Sequence, residues 1–149
     1  MVVLSYQGSI LLLRREPRDP DFPGFWDFPG GTAKKGESYA RGARRELWEE
    51  GHVAAPCLRR VFQVDLDDSS WSGTPVPADS QGRIFRMVAF FARTSVRSTV
   101  LTDAREHSES MWAAPGMVKR MEESGQIPPG TRLVLRAAFG VGGPLFSKR

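Results

Sequence analysis

The order of apolar and polar positions along the chain predicts a series of short strands. Residues 2–6 and 9–14 are apolar runs, and Gln7-Gly8 between them is a good sequence for a tight hairpin turn. Because the first run begins almost at once, we expect no leader sequence before it. Further apolar or alternating runs predict strands at residues 26–28, 58–66, 83–94 and 110–113, with a weaker extended segment at 96–101.

Apolar residues spaced three and four apart predict helices between these strands. The clearest helix begins after Ser38, a good N-cap residue, and carries an apolar stripe made of Ala40, Ala43 and Leu47. A second helix opens at Pro115 and runs to about residue 123, and a third covers residues 131–139.

Two stretches lack either periodicity and are predicted to be irregular. Residues 67–82 are rich in serine, glycine and proline and read as a long loop, and residues 141–149 read as a loose tail. The chain shows no repeat and no low-complexity tract, and its length of 149 residues suits one domain. We therefore expect a single domain over residues 1–149.

The cysteine count and the lengths of the apolar runs bear on the location of the protein. The chain has one cysteine, Cys57, which excludes an intrachain disulfide and is typical of a protein from a reducing cytoplasm. Its neighbours are apolar, which favours a buried thiol over a nucleophile. No apolar run approaches the roughly 20 residues that a membrane span needs. The sequence therefore predicts a cytoplasmic protein without a membrane segment.

The charge balance favours small anionic partners. The formal net charge is +4, which suits ligands that range from nucleotides to nucleic acids. The excess is modest, however, and the basic residues are scattered along the chain. A nucleotide is therefore the expected partner, and nucleic-acid binding is not favoured.

Three glutamates of the first predicted helix share one narrow ridge. At about 100° per residue, Glu46 lies between Glu49 and Glu50 on the helix surface. Like charges at these spacings destabilise a helix by a few tenths of a kcal/mol per pair, and a divalent cation bound by oxygen ligands would compensate. The alternative is a solvated helix face whose charge is neutralised by the neighbouring arginines Arg41, Arg44 and Arg45.

The segment before this helix favours the cation. The string FPGG at residues 28–31 ends a predicted strand with a turn, and Gly36 and Glu37 lie shortly before the helix. A strand, a glycine-rich loop and a helix with an acidic face thus follow one another.

In this segment the chain resembles the Nudix box, G-x5-E-x7-R-E-U-x-E-E-x-G-U, in which U is a bulky aliphatic residue. The matching residues are Gly31, Glu37, Arg45, Glu46, Leu47, Glu49, Glu50 and Val53. One position departs, because His52 stands where the box has its last glycine and Gly51 comes directly before it. Either Gly51 ends the helix in the left-handed conformation one residue early, or His52 adopts that conformation.

The resemblance implies a fold and an activity. The implied fold is α/β (α+β), an α/β/α sandwich with a mixed central sheet flanked by helices. The implied activity is Mg²⁺-dependent hydrolysis of a nucleoside diphosphate linked to a further moiety X, with Mn²⁺ as a substitute ion. Family members are often dimers, so the resemblance is also compatible with a homodimer.

The resemblance also implies roles for the box residues. Glu49 and Glu50 would bind the metal, and Glu46 would be a metal ligand or the base that activates water. Arg45 would orient these glutamates through charge-assisted hydrogen bonds. Glu37 would support the loop or an outer metal.

The backbone at Gly30 and Gly31 would approach metal or phosphate closely, since glycine has no Cβ. Gly30 is accordingly a candidate metal ligand and Gly31 a candidate substrate contact.

Outside the box, the family pattern nominates charged residues at the strand ends. Arg14 or Arg15 would face substrate phosphates, unless both are strand-end arginines in water. A glutamate of the loop before the last strand would lie near the metal. Glu106 and Glu109 both qualify, and Glu109 is the better match. His107 is expected to orient this loop or to face solvent.

The identity of the substrate is the least determined point. Subgroups that act on ADP-ribose, NADH or dinucleoside polyphosphates carry distinguishing residues beyond the box. Here Ser69 stands where one subgroup has proline, about sixteen residues after the box, and no SQPWPFPxS-like string is found. These absences lean towards a nucleoside triphosphate or a modified nucleotide, with Trp26, Phe28 or Trp71 as base-stacking surfaces. The alternative is a catalytically weak Nudix-fold module that binds nucleotide or RNA.

Overall fold

The computed structural model describes residues 1–55, 57–67, 84–95, 97, 100 and 105–140. Within these ranges the chain forms six strands and three helices. In chain order they are β1 (Val2–Tyr6), β2 (Ser9–Arg15), β3 (Trp26–Asp27), α1 (Tyr39–Gly51), β4 (Arg59–Asp67), β5 (Ile84–Arg93), β6 (His107–Ala113), α2 (Pro115–Glu123) and α3 (Pro129–Phe139).

The predicted elements agree with the observed ones to within one or two residues in most places. The largest difference is β6, which begins at His107, three residues earlier than predicted. The predicted loop from residue 68 onwards, with Trp71, lies outside the described residues, as do most of the segment 96–101 and the tail 141–149.

The strands form one mixed sheet. The order is β3-β2-β1-β5-β4, and β6 pairs with β2 outside this path. The β1–β5 pair is parallel, whereas β1–β2, β2–β3, β2–β6 and β4–β5 are antiparallel.

Each face of the sheet is covered by helices, because successive strand residues point to opposite sides. On one face, Leu11 and Leu13 of β2 pack with Leu47 of α1. On the other face, Leu12 packs in a core that includes residues of α2 and α3, such as Val134. The expected α/β/α sandwich with a mixed central sheet is confirmed.

None of the helices in the described ranges is long and apolar enough to cross a membrane.

Cys57 lies in the segment between α1 and β4. Its side chain is exposed, so the predicted burial of this thiol is wrong. The apolar neighbours suggested a core position, and Val53 and Ala55 are indeed buried, but Cys57 itself lies at the surface just before β4 begins.

A buried polar network joins β3 to the last helix. Asp27 is only 5% exposed. Its Oδ1 accepts hydrogen bonds from the Thr131 hydroxyl of α3 at 2.5 Å and from the Phe28 N–H at 2.7 Å. The Arg15 guanidinium lies 3.7 Å from Oδ2. Burial raises the pKa of Asp27, although these hydrogen bonds and Arg15 oppose the shift. The network fixes the strand that leads into the glycine pair at residues 30–31.

The ends of α1 explain why the box tolerates its one departure. Ser38 is the N-cap, and its hydroxyl accepts from the Arg41 N–H at 3.4 Å. His52 is the C-cap and adopts the left-handed conformation, with φ 52° and ψ 31°. Its N–H donates to the Trp48 carbonyl, and its ring lies 5.6 Å from the Trp48 ring. Of the two alternatives for the end of the helix, the second is therefore the observed one.

This geometry predicts opposite effects for two replacements of His52. Glycine adopts the left-handed conformation without strain, so His52→Gly should raise the free energy of unfolding by up to about 1 kcal/mol. His52→Val should lower it by about 1 kcal/mol or more, because a β-branched residue is strained there. Urea unfolding of the three proteins measures both changes. Equal stability of the valine and histidine proteins would contradict the observed cap.

Candidate active site

The acidic residues of α1 lie beside the turn that follows β3. A Cβ on Gly31 would lie 2.7 Å from Glu46 Oε1, so a larger residue there would displace this carboxylate. Gly30 has φ +155°, and a Cβ there would lie 2.6 Å from the Met1 Cα, so this position requires glycine. The two glycines bring the backbone of the turn against the carboxylates.

Arg45 connects the loop before α1 to the exposed ridge of the helix. Its Nη1 donates to Glu46 Oε1 at 2.7 Å and to Glu49 Oε2 at 2.8 Å. Its Nε and Nη2 donate to the two carboxylate oxygens of Glu37 at 3.1 and 3.0 Å. Nη2 also donates to the Thr32 carbonyl at 3.2 Å. One planar guanidinium thus holds three carboxylates and a backbone carbonyl, in agreement with the orienting role expected of it.

The contacts of Glu37 strongly favour the ionised form of its carboxylate. The hydrogen bonds from Arg45 and from the Lys34 N–H lower its pKa to about 2. Its side chain also closes over the helix start, because a Cβ on Gly42 would lie 3.1 Å from Glu37 Oε2. Glu37 therefore stays ionised at any physiological pH and ties the loop to α1.

Glu50 has a very different environment from its neighbours on the ridge. It is 5% exposed, and its Oε2 accepts the Gly30 N–H at 2.6 Å. Burial raises its pKa to about 8, and the negative charges of Glu46, Glu106 and Asp27 add to the effect, against the Gly30 hydrogen bond. The ridge therefore divides into two carboxylates neutralised by Arg45 and one that is buried among like charges.

Strand β6 brings two more side chains to Glu50. The pairing of β6 with β2 shifts register between Arg14, opposite Glu109, and Arg15, opposite His107. Such a bulge re-aims the side chains beside it. His107 is buried, and its Nε2 lies 3.8 Å from Glu50 Oε1.

Glu106 completes a group at this point. Glu50, Glu106 and His107 each offer one ligand atom, and these atoms lie within 4.8 Å of one another. In the described part of the chain this is the single group of three such residues. Carboxylate oxygens are the ligands that hard divalent cations prefer, so the donor set fits a divalent metal ion.

Glu109, the expected loop glutamate, lies elsewhere. Its Oε1 accepts from Arg14 Nη1 at 2.7 Å, and the pair is half exposed. Met111, two residues further along β6, packs against the core under α2 and α3, which places Glu109 on the face of the sheet opposite α1. Its catalytic role stays a prediction, and the geometry favours Glu106 for a contact with Glu50.

The two candidate phosphate-binding arginines have protein partners. Arg15 lies 2.6 Å from Asp19 and 3.7 Å from Asp27. Arg14 pairs with Glu109, donates to the Gly24 carbonyl at 3.2 Å, and stacks over the Trp26 ring at 5.9 Å. Arg14 is the more exposed of the two and so is the better placed to meet a ligand.

Trp26 and Phe28 are core residues. They are 5% and 2% exposed and pack in the core under α2 and α3. Burial leaves no ring face for a nucleobase, which corrects their assignment as stacking surfaces.

Comparison with known proteins identifies the fold family. The sequence model of the NUDIX domain matches residues 1–132. The chain belongs to the Nudix family. This membership supports a hydrolase that acts on pyrophosphate bonds.

Solved Nudix structures have the same fold. A MutT NUDIX hydrolase from Burkholderia pseudomallei is 22% identical with a TM-score of 0.66, and the match covers 91% of this chain and 92% of that one. The NUDIX domain of Shewanella oneidensis NrtR, complexed with ADP ribose, is 19% identical with a TM-score of 0.68, over 93% and 81% of the two chains. A C. elegans Ap4A hydrolase binary complex is 19% identical with a TM-score of 0.60, over 95% of each chain.

The structure adds His107 to this Nudix site and places Glu106, rather than Glu109, beside Glu50. One sequence signal pointed there, because Glu106 and His107 stand side by side in the predicted loop before the last strand. The bulge that turns both towards α1 has no local signature, since it arises from the pairing of distant strands.

The buried Glu50 predicts an unusual dependence of stability on pH. Its pKa of about 8 in the folded protein exceeds the ordinary glutamate pKa of about 4.5, so the unfolded chain releases this proton first as pH rises. Without divalent ions, Glu50 should therefore destabilise the fold progressively between about pH 4.5 and pH 8. Glu50→Gln removes this penalty and should unfold at a higher temperature than the wild type near pH 8.

Thermal melts in EDTA between about pH 5 and pH 9 measure the effect. The two proteins should have nearly equal stability at the acidic end and diverge above it. Parallel curves over the whole range would show that Glu50 titrates as an ordinary surface carboxylate.

Proposed function

We propose that this Nudix protein is a pyrophosphohydrolase that depends on a divalent cation. It cleaves a nucleoside diphosphate linked to a moiety X by attack of water at phosphorus. The observation that carries the proposal is the meeting of Glu50, Glu106 and His107 beside carboxylates that Arg45 holds in place. Cleavage of a diphosphate needs this concentration of negative ligands around a cation.

Each part of the site has a role in this reaction. Glu50 and Glu106 would hold the cation, which is Mg²⁺ with Mn²⁺ as a substitute, and the Gly30 N–H donates to Glu50. A bound divalent cation polarises the phosphoryl oxygens and acidifies water. Glu46 and Glu49 supply the remaining carboxylates of the ridge, one of which accepts the proton of the attacking water.

The residues around these carboxylates bind and orient. The hydrogen bonds between Arg45 and Glu37 hold the loop against the helix, and Gly31 lets the phosphates approach the backbone. Arg14, half exposed at the end of β2, contacts the substrate beyond the reacting diphosphate.

The substrate is a nucleotide, and a nucleoside triphosphate or modified nucleotide is favoured because the chain lacks two subgroup features, the proline at the position of Ser69 and an SQPWPFPxS-like string. Among the structural relatives, one is a MutT hydrolase, one an Ap4A hydrolase, and one binds ADP ribose. Two of these names include a nucleotide, ADP ribose or Ap4A, which supports the substrate class and leaves the choice within it to experiment. Cytoplasmic location and a homodimer stay predictions.

A substrate panel with two matched variants tests the proposal. Nucleoside triphosphates, dinucleoside polyphosphates, ADP-ribose and nucleotide sugars are incubated with Mg²⁺ or Mn²⁺, and released phosphate, pyrophosphate and nucleotide are measured. Glu106→Gln should lower kcat by about 100-fold or more, because it removes a carboxylate at the cation. Glu109→Gln should change kcat by less than about 5-fold, because Glu109 lies on the face of the sheet opposite α1, and any effect through its partner Arg14 should appear in KM.

A wild-type protein that is inert on the whole panel but binds nucleotide or RNA would overturn the proposal and identify a binding module. Loss of activity in Glu109→Gln alone would keep the reaction but assign the loop carboxylate to Glu109.

A further inference from the structure

A histidine in direct reach of the box carboxylates gives this site a nitrogen donor. His107 is 5% exposed, and the bulge in the β2–β6 pairing turns its ring towards α1. Its Nε2 lies 3.8 Å from Glu50 Oε1. The metal-binding side chains of the family box are all carboxylates. The nitrogen donor comes instead from β6.

The spacing of the donor atoms suits a common cation. With metal–ligand bonds of about 2.1 Å, adjacent ligands of an octahedral ion lie about 3.0 Å apart and opposite ligands about 4.2 Å apart. The atoms of Glu50, Glu106 and His107 lie within 4.8 Å of one another. The Glu50 and His107 atoms, 3.8 Å apart, need to move by about 0.4 to 0.8 Å to reach either spacing, and the exposed Glu106 side chain can follow them to one ion.

The type of donor decides which ion is favoured. Mg²⁺ prefers oxygen ligands and keeps several waters, whereas imidazole nitrogen suits first-row transition metals. We propose that His107 is a ligand of the divalent cation held by Glu50 and Glu106, so that the site binds Mn²⁺ more tightly than Mg²⁺. The inference rests on the proposed function only because it uses the same cation site.

The competing explanation makes the opposite prediction. If His107 serves only as an ion-pair partner of Glu50, its positive charge competes with the cation. Removing the imidazole would then tighten the binding of both ions. If His107 is a ligand, its removal weakens the binding of Mn²⁺ and leaves that of Mg²⁺ nearly unchanged.

The chain offers a matched control for this test. It has two histidines, and the second, His52, is the exposed C-cap of α1. His107→Gln removes the imidazole but keeps a polar side chain of similar length. His52→Gln removes the other imidazole without touching the carboxylates.

The experiment uses Mn²⁺ alone, without nucleotide. Pulsed electron paramagnetic resonance should show an imidazole nitrogen coupled to bound Mn²⁺ in the wild type and in His52→Gln, and none in His107→Gln. Calorimetry should show a Kd for Mn²⁺ about 10-fold or more higher in His107→Gln, with the Kd for Mg²⁺ changed by less than about 3-fold.

The wild-type spectrum decides the question even if His107→Gln does not fold. Bound Mn²⁺ without a nitrogen coupling would overturn the proposal, and so would a Kd for Mn²⁺ that is unchanged or lower in the variant. These two readouts measure metal binding and not hydrolysis. The nitrogen ligand can therefore be confirmed in a protein that hydrolyses nothing, and it can be refuted in an active hydrolase.

Discussion

The Arg45 guanidinium lies between the loop after β3 and the ridge of α1, and it donates hydrogen bonds to carboxylates on both. Glu37 belongs to the loop, whereas Glu46 and Glu49 belong to the helix. Without the positive charge of Arg45, little would offset the repulsion among the three carboxylates beside the glycine turn. A lysine would carry the same charge, but it lacks the planar fork that contacts several oxygens at once. The relative position of loop and helix, and with it the site, depends on this contact.

Glu50 lies on the same helix but outside the reach of Arg45, and its charge is opposed by burial. The Gly30 N–H donates to one oxygen of this carboxylate, and His107 lies 3.8 Å from the other. The site thus has two halves. In the first, Arg45 balances the charge of Glu37, Glu46 and Glu49, and in the second, around Glu50, the negative charge is not balanced. A divalent cation is most strongly favoured in the second half, close to the turn at which a diphosphate can approach the backbone.

Local patterns predicted much of this arrangement, and long-range pairing accounts for what they missed. The limits of α1, its N-cap and the partners of Arg45 follow from spacings within one loop and one helix. The position of His107 does not, because it depends on the register between β2 and β6, which are far apart in the sequence. Burial of Trp26 follows from α2 and α3, which cover that face of the sheet. From its position next to the glycine turn, Trp26 was predicted to bind a nucleobase, whereas its side chain belongs to the hydrophobic core.

The pKa of the Glu37 carboxyl, followed by NMR, tests the central role of Arg45 most directly. The contacts from Arg45 should hold this pKa near 2 in the wild type. In Arg45→Lys it should rise by about one unit or more towards the ordinary value, because the paired hydrogen bonds are lost. Arg41→Lys, on the exposed start of the same helix, should leave it unchanged. An ordinary pKa for Glu37 in the wild type, or the same low pKa in Arg45→Lys, would contradict the account.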